Sequence, residues 1–236
     1  MLPKISVIIP VLNEAEYLSK TLALLSMAAN VELIVVDGGS QDATILVAQT
    51  ADAQVISSTP GRAVQMNLGA AIASGDILLF LHADTRLPPK FDTMIRETLA
   101  YSIAGAFELK IDIPSVGVRL VEWGTNLRSR YLQLPYGDQA IFLKKSVFQA
   151  VGGFPALPIM EDFEFVQRLK RHGNIQIVRA SVLTSGRRWQ TLGVVRTTLI
   201  NQFIIGAYLL GVSPERLRQW YRIGMSRRKG MSKRKV

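Results

Sequence analysis

The 236-residue chain contains no cysteine and only two histidines, His82 and His172. The absence of cysteine excludes disulfide frameworks, cysteine-ligated zinc and thiol catalysis, and it is compatible with a reducing compartment. Two histidines are too few for a three-histidine metal site within one chain. Charged residues make up 19% of the chain and apolar residues 48%, a globular composition that excludes a wholly disordered protein.

The sequence also has no apolar run long enough to span a membrane. The longest run, Phe203 to Val212, has ten residues, whereas a spanning helix needs about 20. The apolar run near the N-terminus is interrupted by Pro10 and followed by Asn13 and Glu14, with no small-residue cleavage site, so no export signal is predicted. We therefore expect a cytoplasmic protein.

Most of the net charge of +10 lies at one end of the chain. Residues 214–236 contain nine lysines and arginines and one acid, Glu215, a net charge of +8 that leaves +2 for residues 1–213. This pattern predicts a disordered arm that contacts an anionic surface, either lipid headgroups or nucleic acid. The near-neutral remainder argues against a nucleic-acid-binding domain.

Short apolar strands alternate with helices through the first half of the chain. This alternation predicts βαβ units and an α/β fold, a three-layer sandwich with a mostly parallel sheet. Ligands of such sheets bind beyond the carboxyl ends of the strands. Asn13, Asp37 and Asp84 each follow a strand, so we expect them to meet at one rim. The predicted strands are 5–10, 32–36, 54–56 and 77–81, with helices at 14–28, 42–50 and 62–73.

The second half is less regular. Strands are predicted at 105–113, expected at a mixed edge of the sheet, and at 139–143. Helices are predicted at 118–132 and 163–171. From Thr197 onward apolar residues recur at three- and four-residue spacing, which predicts an amphipathic helix.

Two motifs at strand ends could contact a nucleotide. Asn13-Glu14 is either the lip of a nucleotide pocket or a helix cap with acidic residues in the first turn. Asp37-Gly38 presents a carboxylate suited to a ribose diol or a base imide, or else forms an ordinary turn. The first strand is not followed by Gly-x-Gly-x-x-Gly, which argues against a nicotinamide site.

Three further motifs carry charge. His82-Ala83-Asp84 leaves a buried strand, so its carboxylate either holds Mg²⁺ or Mn²⁺ or belongs to an acidic turn. Glu161-Asp162 either complements a helix dipole or supplies a general base. Arg187-Arg188 either binds diphosphate oxygens or forms a solvated surface pair.

The order and spacing of these motifs over about residues 4–190 resemble the family 2 inverting glycosyltransferases. The resemblance implies a nucleotide-diphospho-sugar transferase fold, which is Rossmann-like, and a donor of that class, with a UDP-sugar favoured. It implies Mg²⁺ or Mn²⁺ at Asp84 and Asp162 as the base that activates the acceptor. The implied donor-binding residues are Pro10, Asn13, Glu14, Asp37, Gly38, Arg62, Asn67, His82 and Ala83, and those on the diphosphate or acceptor side are Gly153, Glu161, Arg187, Arg188 and Trp189.

Two positions depart from the family pattern. One carboxylate, Asp37, stands where the family usually has two aspartates, and His82 replaces the first aspartate of the Asp-x-Asp metal motif. A similarity to a small bacterial subgroup points to an acceptor of lipid or carotenoid type. The competing functions are a nucleotidyltransferase and a binding module for nucleic acid or membrane that uses the basic segment.

The resemblance and the charge pattern together predict three segments. Residues 1–190 would form the nucleotide-sugar-binding domain, 191–213 an amphipathic helical extension and 214–236 a basic tail. The extension would either lie on a membrane surface or pack on the domain or on a second subunit.

Overall fold

The computed structural model describes residues 2–25 and 28–225. Up to residue 81, apolar runs and helical periodicities produce the elements where the sequence predicts them, with bounds that differ by at most three residues. The strands are β1 (Ile5–Val11), β2 (Val31–Asp37), β3 (Gln54–Ser57), β4 (Ile77–Phe80), β5 (Thr85–Arg86), β6 (Ala104–Ile111), β7 (Phe142–Lys144) and β8 (Ile175–Thr184). The helices are α1 (Ala15–Leu25), α2 (Thr44–Thr50), α3 (Arg62–Ile72), α4 (Phe91–Thr98), α5 (Val116–Leu132), α6 (Lys145–Val151), α7 (Glu161–Lys170), α8 (Arg187–Leu192), α9 (Val194–Leu209) and α10 (Pro214–Met225).

All these strands join one sheet in the order β3-β2-β1-β4-β7-β6-β8-β5. The first four are parallel, and β6 and β8 are also parallel to each other. β7 runs antiparallel to both of its neighbours and joins the two halves. The predicted α/β fold with a mostly parallel sheet is therefore confirmed.

Helices cover both faces of the sheet because its central strands are apolar on both sides. In β1, Val7 and Ile9 pack with Leu18 and Leu22 of α1 on one face. The intervening Ile8 belongs to the opposite cluster, with residues of α3. This packing fixes the carboxyl ends of β1 and β4 side by side, as their parallel pairing requires.

Two expectations for the second half need correction. The strand predicted at 105–113 lies inside the sheet as β6, between β7 and β8, rather than at an edge. Residues 214–225 of the expected disordered arm form helix α10, because Leu217 is fully buried against α9 and α7. The rest of the predicted basic tail, 226–236, lies outside the described residues.

Helix α9 packs on the domain while leaving part of its apolar surface exposed. Ile204 and Ala207 are buried with Met160 and Phe163, whereas Phe203 is exposed. Over the described ranges no helix combines the length and hydropathy needed to cross a bilayer.

Candidate functional site

A cavity of about 950 Å³ opens beyond the carboxyl ends of β1 and β4. The sheet side is formed by the exit of β1 and by His82-Ala83-Asp84 after β4. The opposite side is formed by the start of α7 and by α8, α9 and α10. Among the predicted site residues, the ones that line it are Pro10, Glu14, Arg62, His82, Ala83, Asp84, Asp162, Arg187, Arg188 and Trp189.

Asp84 and Glu14 share one guanidinium. Arg187 Nη2 donates to Asp84 Oδ2 at 2.9 Å and to Glu14 Oε1 at 3.0 Å. The guanidinium also lies 4.0 Å from the centre of the Tyr17 ring. Burial lowers the pKa of Arg187, but the hydrogen bonds to the two carboxylates outweigh burial and raise it above its ordinary value. Arg187 therefore stays cationic beside Asp84.

Asp162 and His82 face each other across Gly137. The Gly137 N–H donates to Asp162 Oδ2 at 2.9 Å, while Oδ1 accepts from the Phe163 N–H at the start of α7. A Cβ on Gly137 would lie 3.1 Å from His82 Nε2 and 3.3 Å from Asp162 Oδ2. Any larger residue at this position would therefore crowd both groups. Burial, and then the nearby Arg62, lower the pKa of His82 to about 4, so its imidazole is neutral at pH 7.

Arg62 and Glu161 form an ion pair at the wall of the cavity, with 2.8 Å between Nε and Oε1. Glu161 is buried, and its Oε2 has no hydrogen-bond partner among the described residues. Burial raises the pKa of this carboxyl, and Arg62 opposes that effect. Glu161 thus holds Arg62 in place, and the guanidinium lines the cavity.

Asp37 and Gly38 lie one layer behind the cavity lining. The Asp37 carboxylate is buried and accepts the N–H groups of Gly39 and Ser40. A Cβ on Gly38 would lie 3.2 Å from the Gln65 side chain, and Gln65 itself lines the cavity. Gln65 donates to the carbonyls of Val11 and Val36, which ties together the ends of β1 and β2.

Asn13, Asn67 and Gly153 also shape the surroundings of the cavity rather than its lining. Asn13, with φ of 55°, accepts from the Gln41 N–H through its side chain. The Asn67 side chain bonds both the N–H and the carbonyl of Phe154. Gly153 has φ of 70°, and a Cβ there would lie 2.8 Å from Asn67 Oδ1, so only glycine fits this contact.

Comparison with known proteins places the chain in a family. The sequence profile described as glycosyl transferase family 2 matches residues 6–153, more than half of the chain. The chain belongs to glycosyltransferase family 2.

This family 2 chain is 33% identical over 100 residues to undecaprenyl-phosphate 4-deoxy-4-formamido-L-arabinose transferase of Salmonella choleraesuis. That alignment covers 37% of this chain and 31% of the Salmonella protein, so the chain spans less than a third of the length of the curated relatives it matches. The same enzyme name and coverage recur in Salmonella newport.

Solved structures share the fold at lower identity. TarS 1–349 of S. aureus in complex with UDP has a TM-score of 0.63 at 18% identity, covering 97% of this chain and 72% of that chain. The mannosyltransferase PcManGT from Pyrobaculum calidifontis in complex with GDP-Man and Mn²⁺ has a TM-score of 0.66 at 17% identity, covering 94% and 69%. Identities this low establish a common fold and nothing finer.

Asp138 is a cavity-lining carboxylate of this family 2 chain that motif analysis does not identify. It lies in the 3₁₀ turn Gly137–Gln139, and its Oδ1 is buried with no hydrogen-bond partner among the described residues. Burial raises the pKa of Asp138 to about 6; Arg128 opposes the rise and Asp162 adds to it. The sequence signal that could have indicated Asp138 is the triplet Tyr136-Gly137-Asp138, which lies between the predicted helix 118–132 and the predicted strand 139–143.

The side of the cavity formed by the start of α7 and by α8, α9 and α10 is called the second wall. The profile match ends at Gly153, so the second wall lies outside it. Arg188 lies with its guanidinium carbon 5.7 Å from the Tyr221 ring centre, which joins α8 to α10. Trp189 Nε1 is buried without a hydrogen-bond partner in the described part of the chain. Helices α9 and α10 add six residues to this wall that the sequence motifs do not indicate: Asn201, Ile204, Ile205, Arg218, Tyr221 and Met225.

Proposed function

We propose that the protein is a metal-dependent, inverting glycosyltransferase that moves a sugar from a nucleotide-diphospho-sugar to an acceptor hydroxyl or carboxylate. One observation carries the proposal: Asp84, Asp162 and the guanidiniums of Arg62, Arg187 and Arg188 line a single cavity at the carboxyl ends of the parallel strands. Family 2 membership supports the same reaction class.

The donor would lie along the sheet side of the cavity. Pro10, Glu14, His82 and Ala83 line it directly, while Asn13, Asp37, Gly38 and Asn67 hold the surrounding loops in place. The arginines would stabilise charge that develops on the departing diphosphate. UDP and GDP-Man in structures of the same fold support a nucleoside diphosphate donor, and we propose a UDP-sugar first.

The residues present suit a sparse divalent metal site. No cluster of three or more His, Asp or Glu residues with metal-binding geometry occurs over residues 2–25 and 28–225. Mg²⁺ typically takes one or two carboxylates together with substrate phosphates, and Asp84 supplies one carboxylate on the cavity wall. Asp84 would hold Mg²⁺ or Mn²⁺, with His82 nearby; the metal would offset diphosphate charge.

Asp162 is the proposed general base. Its side chain would take the proton from an acceptor hydroxyl as that oxygen attacks the anomeric carbon opposite the departing diphosphate, in one displacement with inversion. The Gly137 N–H bond to Oδ2 orients the carboxylate. Gly153 and Trp189 would shape the acceptor side, together with Glu161 through Arg62. An acceptor carboxylate would need no deprotonation.

A lipophilic acceptor is proposed from the composition of the second wall. Ile204, Ile205 and Met225 give that side of the cavity an apolar lining. The curated Salmonella relative acts on undecaprenyl phosphate by its name, and a carotenoid-type acceptor would suit the same surface. We propose a cytoplasmic protein that contacts the inner face of the membrane peripherally through residues 191–236.

The donor site is tested by thermal unfolding of the full chain with UDP, GDP, CDP and dTDP and their sugars, each with Mn²⁺, Mg²⁺ or EDTA. One base should give a metal-dependent stabilisation, about 2.7 kcal/mol at a hundred times its dissociation constant. Asp84→Asn should lose the metal-dependent part. The exposed Asp112→Asn control, which removes a carboxylate outside the cavity, should keep it.

Three results would contradict the proposal. A uniform absence of shifts together with salt-sensitive nucleic-acid binding would favour a binding module. Pyrophosphate release from a nucleoside triphosphate and a sugar phosphate would identify a nucleotidyltransferase. The third result concerns Asp162. Asp162→Asn should lower the rate of transfer to a hydroxyl acceptor by about 10²–10⁴-fold while donor binding is retained. An unchanged rate would show that Asp162 is not the general base.

A further inference from the structure

Helix α5 carries an apolar stripe that faces away from the protein. Its members recur every three or four residues, so they share one side of the helix. Their exposed fractions range from 40% to 88%. The stripe consists of Val116, Leu120, Trp123, Leu127 and Tyr131. In a helix of a soluble domain, such a stripe normally faces the core.

The opposite, polar side of α5 explains this orientation, because it is bonded to strand β6. Glu122 accepts from the Ile111 N–H at 2.6 Å. The Asn126 side chain accepts from the Leu109 N–H and donates to the Leu109 carbonyl. The fold thus uses the polar residues of α5 for docking and leaves the apolar side in solvent.

The exposed apolar surface continues from α5 onto α9 and α10. A Cβ on Gly117 would lie 3.3 Å from Val194 Cγ1, so the two helix starts are in contact. On α9, Val195, Leu199 and Phe203 are exposed, and the Phe203 ring lies 5.8 Å from the Trp220 ring of α10. We call this the helical apolar surface; its members are Val116, Leu120, Trp123, Leu127, Tyr131, Val195, Leu199, Phe203, Trp220 and Ile223.

The charges around the helical apolar surface are predominantly positive. Two of the three α5 arginines are neutralised by ion pairs, Arg119 with Glu122 and Arg130 with Glu108, so the net positive charge comes from the neighbouring C-terminal segment. The segment 194–225 carries four arginines and one glutamate, a net charge of +3. The sequence from 226 to 236 adds six lysines and arginines and no acid. An anionic partner complements this surface, whereas a second copy placed on it by two-fold symmetry would bring like charges together.

We propose that the helical apolar surface docks on an anionic lipid bilayer, with α5 lying in the plane of the headgroups. Trp123 and Tyr131 are the side chains that such an interface favours, since each has an apolar body and a polar tip. An exposed apolar helix face beside a basic segment binds in this way without spanning the bilayer. This proposal adds α5 to the segment 191–236 as a membrane contact, and the apolar stripe of α5 supplies five of the ten members of the helical apolar surface.

The position of the cavity relates bilayer docking to access of a lipid-borne acceptor. This relation rests on the proposed function. Helices α9 and α10 contribute Ile204 and Tyr221 to the cavity and Phe203 and Trp220 to the helical apolar surface. The same two helices therefore separate the proposed acceptor site from the proposed bilayer. A lipid-borne acceptor would reach Asp162 past their edge.

The test is co-sedimentation of the full chain with vesicles of phosphatidylcholine containing phosphatidylglycerol, and with phosphatidylcholine alone. Wild type should bind the anionic vesicles more tightly, and salt should weaken binding. The pair Trp123→Gln and Tyr131→Gln should weaken partitioning by about tenfold or more, because two aromatic side chains lose their apolar contact. The matched pair Leu46→Gln and Tyr101→Gln removes exposed apolar residues from other parts of the surface and should bind like wild type.

Thermal unfolding of wild type and of both variant pairs, with and without nucleotide, tests the bilayer proposal separately from the proposed function. Both variant pairs should keep whatever shift wild type shows, which also verifies folding. Equal vesicle binding by the two variant pairs, or none by wild type, would overturn the bilayer proposal even if nucleotides bind. A wild-type dimer that the Trp123 and Tyr131 pair dissociates would overturn it in favour of self-association.

Discussion

Single residues in the cavity differ in whether their charge has a partner. Asp84 shares the guanidinium of Arg187 with Glu14, and Glu161 holds Arg62. Asp138, in contrast, forms no ion pair within the described residues, and its buried Oδ1 has no hydrogen-bond partner there. A buried, unpartnered carboxylate oxygen destabilises the folded protein when the group is ionised, and it is free to bind a ligand.

Asp138→Asn should therefore stabilise the ligand-free protein at pH 7.5. Burial raises the pKa of Asp138 in the folded protein to about 6, above the ordinary value of 3.8. Between these values the folded state binds more protons than the unfolded state, so stability falls as pH rises through the window. Removing the charge should add about 1–3 kcal/mol at pH 7.5.

The measurement is urea unfolding in EDTA at pH 7.5 and pH 4.5. The gain should shrink at pH 4.5, where Asp138 in wild type is largely protonated and resembles asparagine. Asp112→Asn, at an exposed carboxylate paired with Arg86, is the charge-removal control. A gain for Asp138→Asn that is equal at both pH values would show that the carboxylate is not protonated in this range.

At the scale of elements, helix α3 lies unusually close to the sheet. A Cβ on Gly69 would be 2.4 Å from Ile8 Cγ2 and 3.1 Å from Val36 Cγ2. This close approach sets the position of Arg62 and Gln65, which lie in the first two turns of the same helix and line the cavity.

Gly69→Ala should destabilise the fold although alanine favours helix. The helical preference is worth up to about 1 kcal/mol, whereas overpacking of the β1–α3 contact should cost about 1–3 kcal/mol. Gly124→Ala in α5 is the matched control, because a Cβ there meets nothing within 4 Å. That change should stabilise the protein by about 0.5–1 kcal/mol. Unfolding in urea ranks the three proteins, and a Gly69→Ala as stable as Gly124→Ala would contradict the packing argument.

The elements also show where sequence patterns stop being informative. Strands β1, β2 and β4 are mainly apolar runs that alternate with helices, so local sequence predicts these strands and a mostly parallel sheet. Strand β8 has exposed and half-buried positions at Arg179 and Ser181 and pairs with β6 across a bulge, so its place depends on residues distant in sequence. The periodicity of α5 predicts a helix, but its side chains alone do not reveal that hydrogen bonds to β6 turn the apolar stripe outward.

The same limit applies to the cavity. Asp84, Asp162 and Arg187 belong to motifs that can be recognised in the sequence, and all three line the cavity. Asp138 stands in a turn, and its burial arises from packing around that turn rather than from a local pattern. The contribution of α10 to the cavity lining was not predicted, because its arginines suggest a solvated arm. In the structure the buried Leu217 packs α10 against the domain.

For the whole molecule, α9 and α10 close the cavity against α7. Met160, Phe163, Ile204, Ala207 and Leu217 form one buried cluster, and the Tyr208 hydroxyl bonds Glu164 Oε2 at 3.1 Å. The C-terminal helices are thus part of the domain core as well as of the cavity wall. Residues up to Met225 and residues beyond it should therefore respond differently to truncation.

Ending the chain at Met225 should leave folding and nucleotide binding unchanged, whereas ending it at Ser213 should damage both. The shorter chain loses the fully buried Leu217, at a cost of at least about 2 kcal/mol. It also loses Arg218 and Tyr221 from the cavity lining. Thermal unfolding with and without the stabilising nucleotide compares the two truncations with the full chain. If the chain that ends at Ser213 melts at the same temperature as the full chain, α10 is not needed for folding. If the chain that ends at Met225 melts at a lower temperature than the full chain, residues 226–236 contribute to stability.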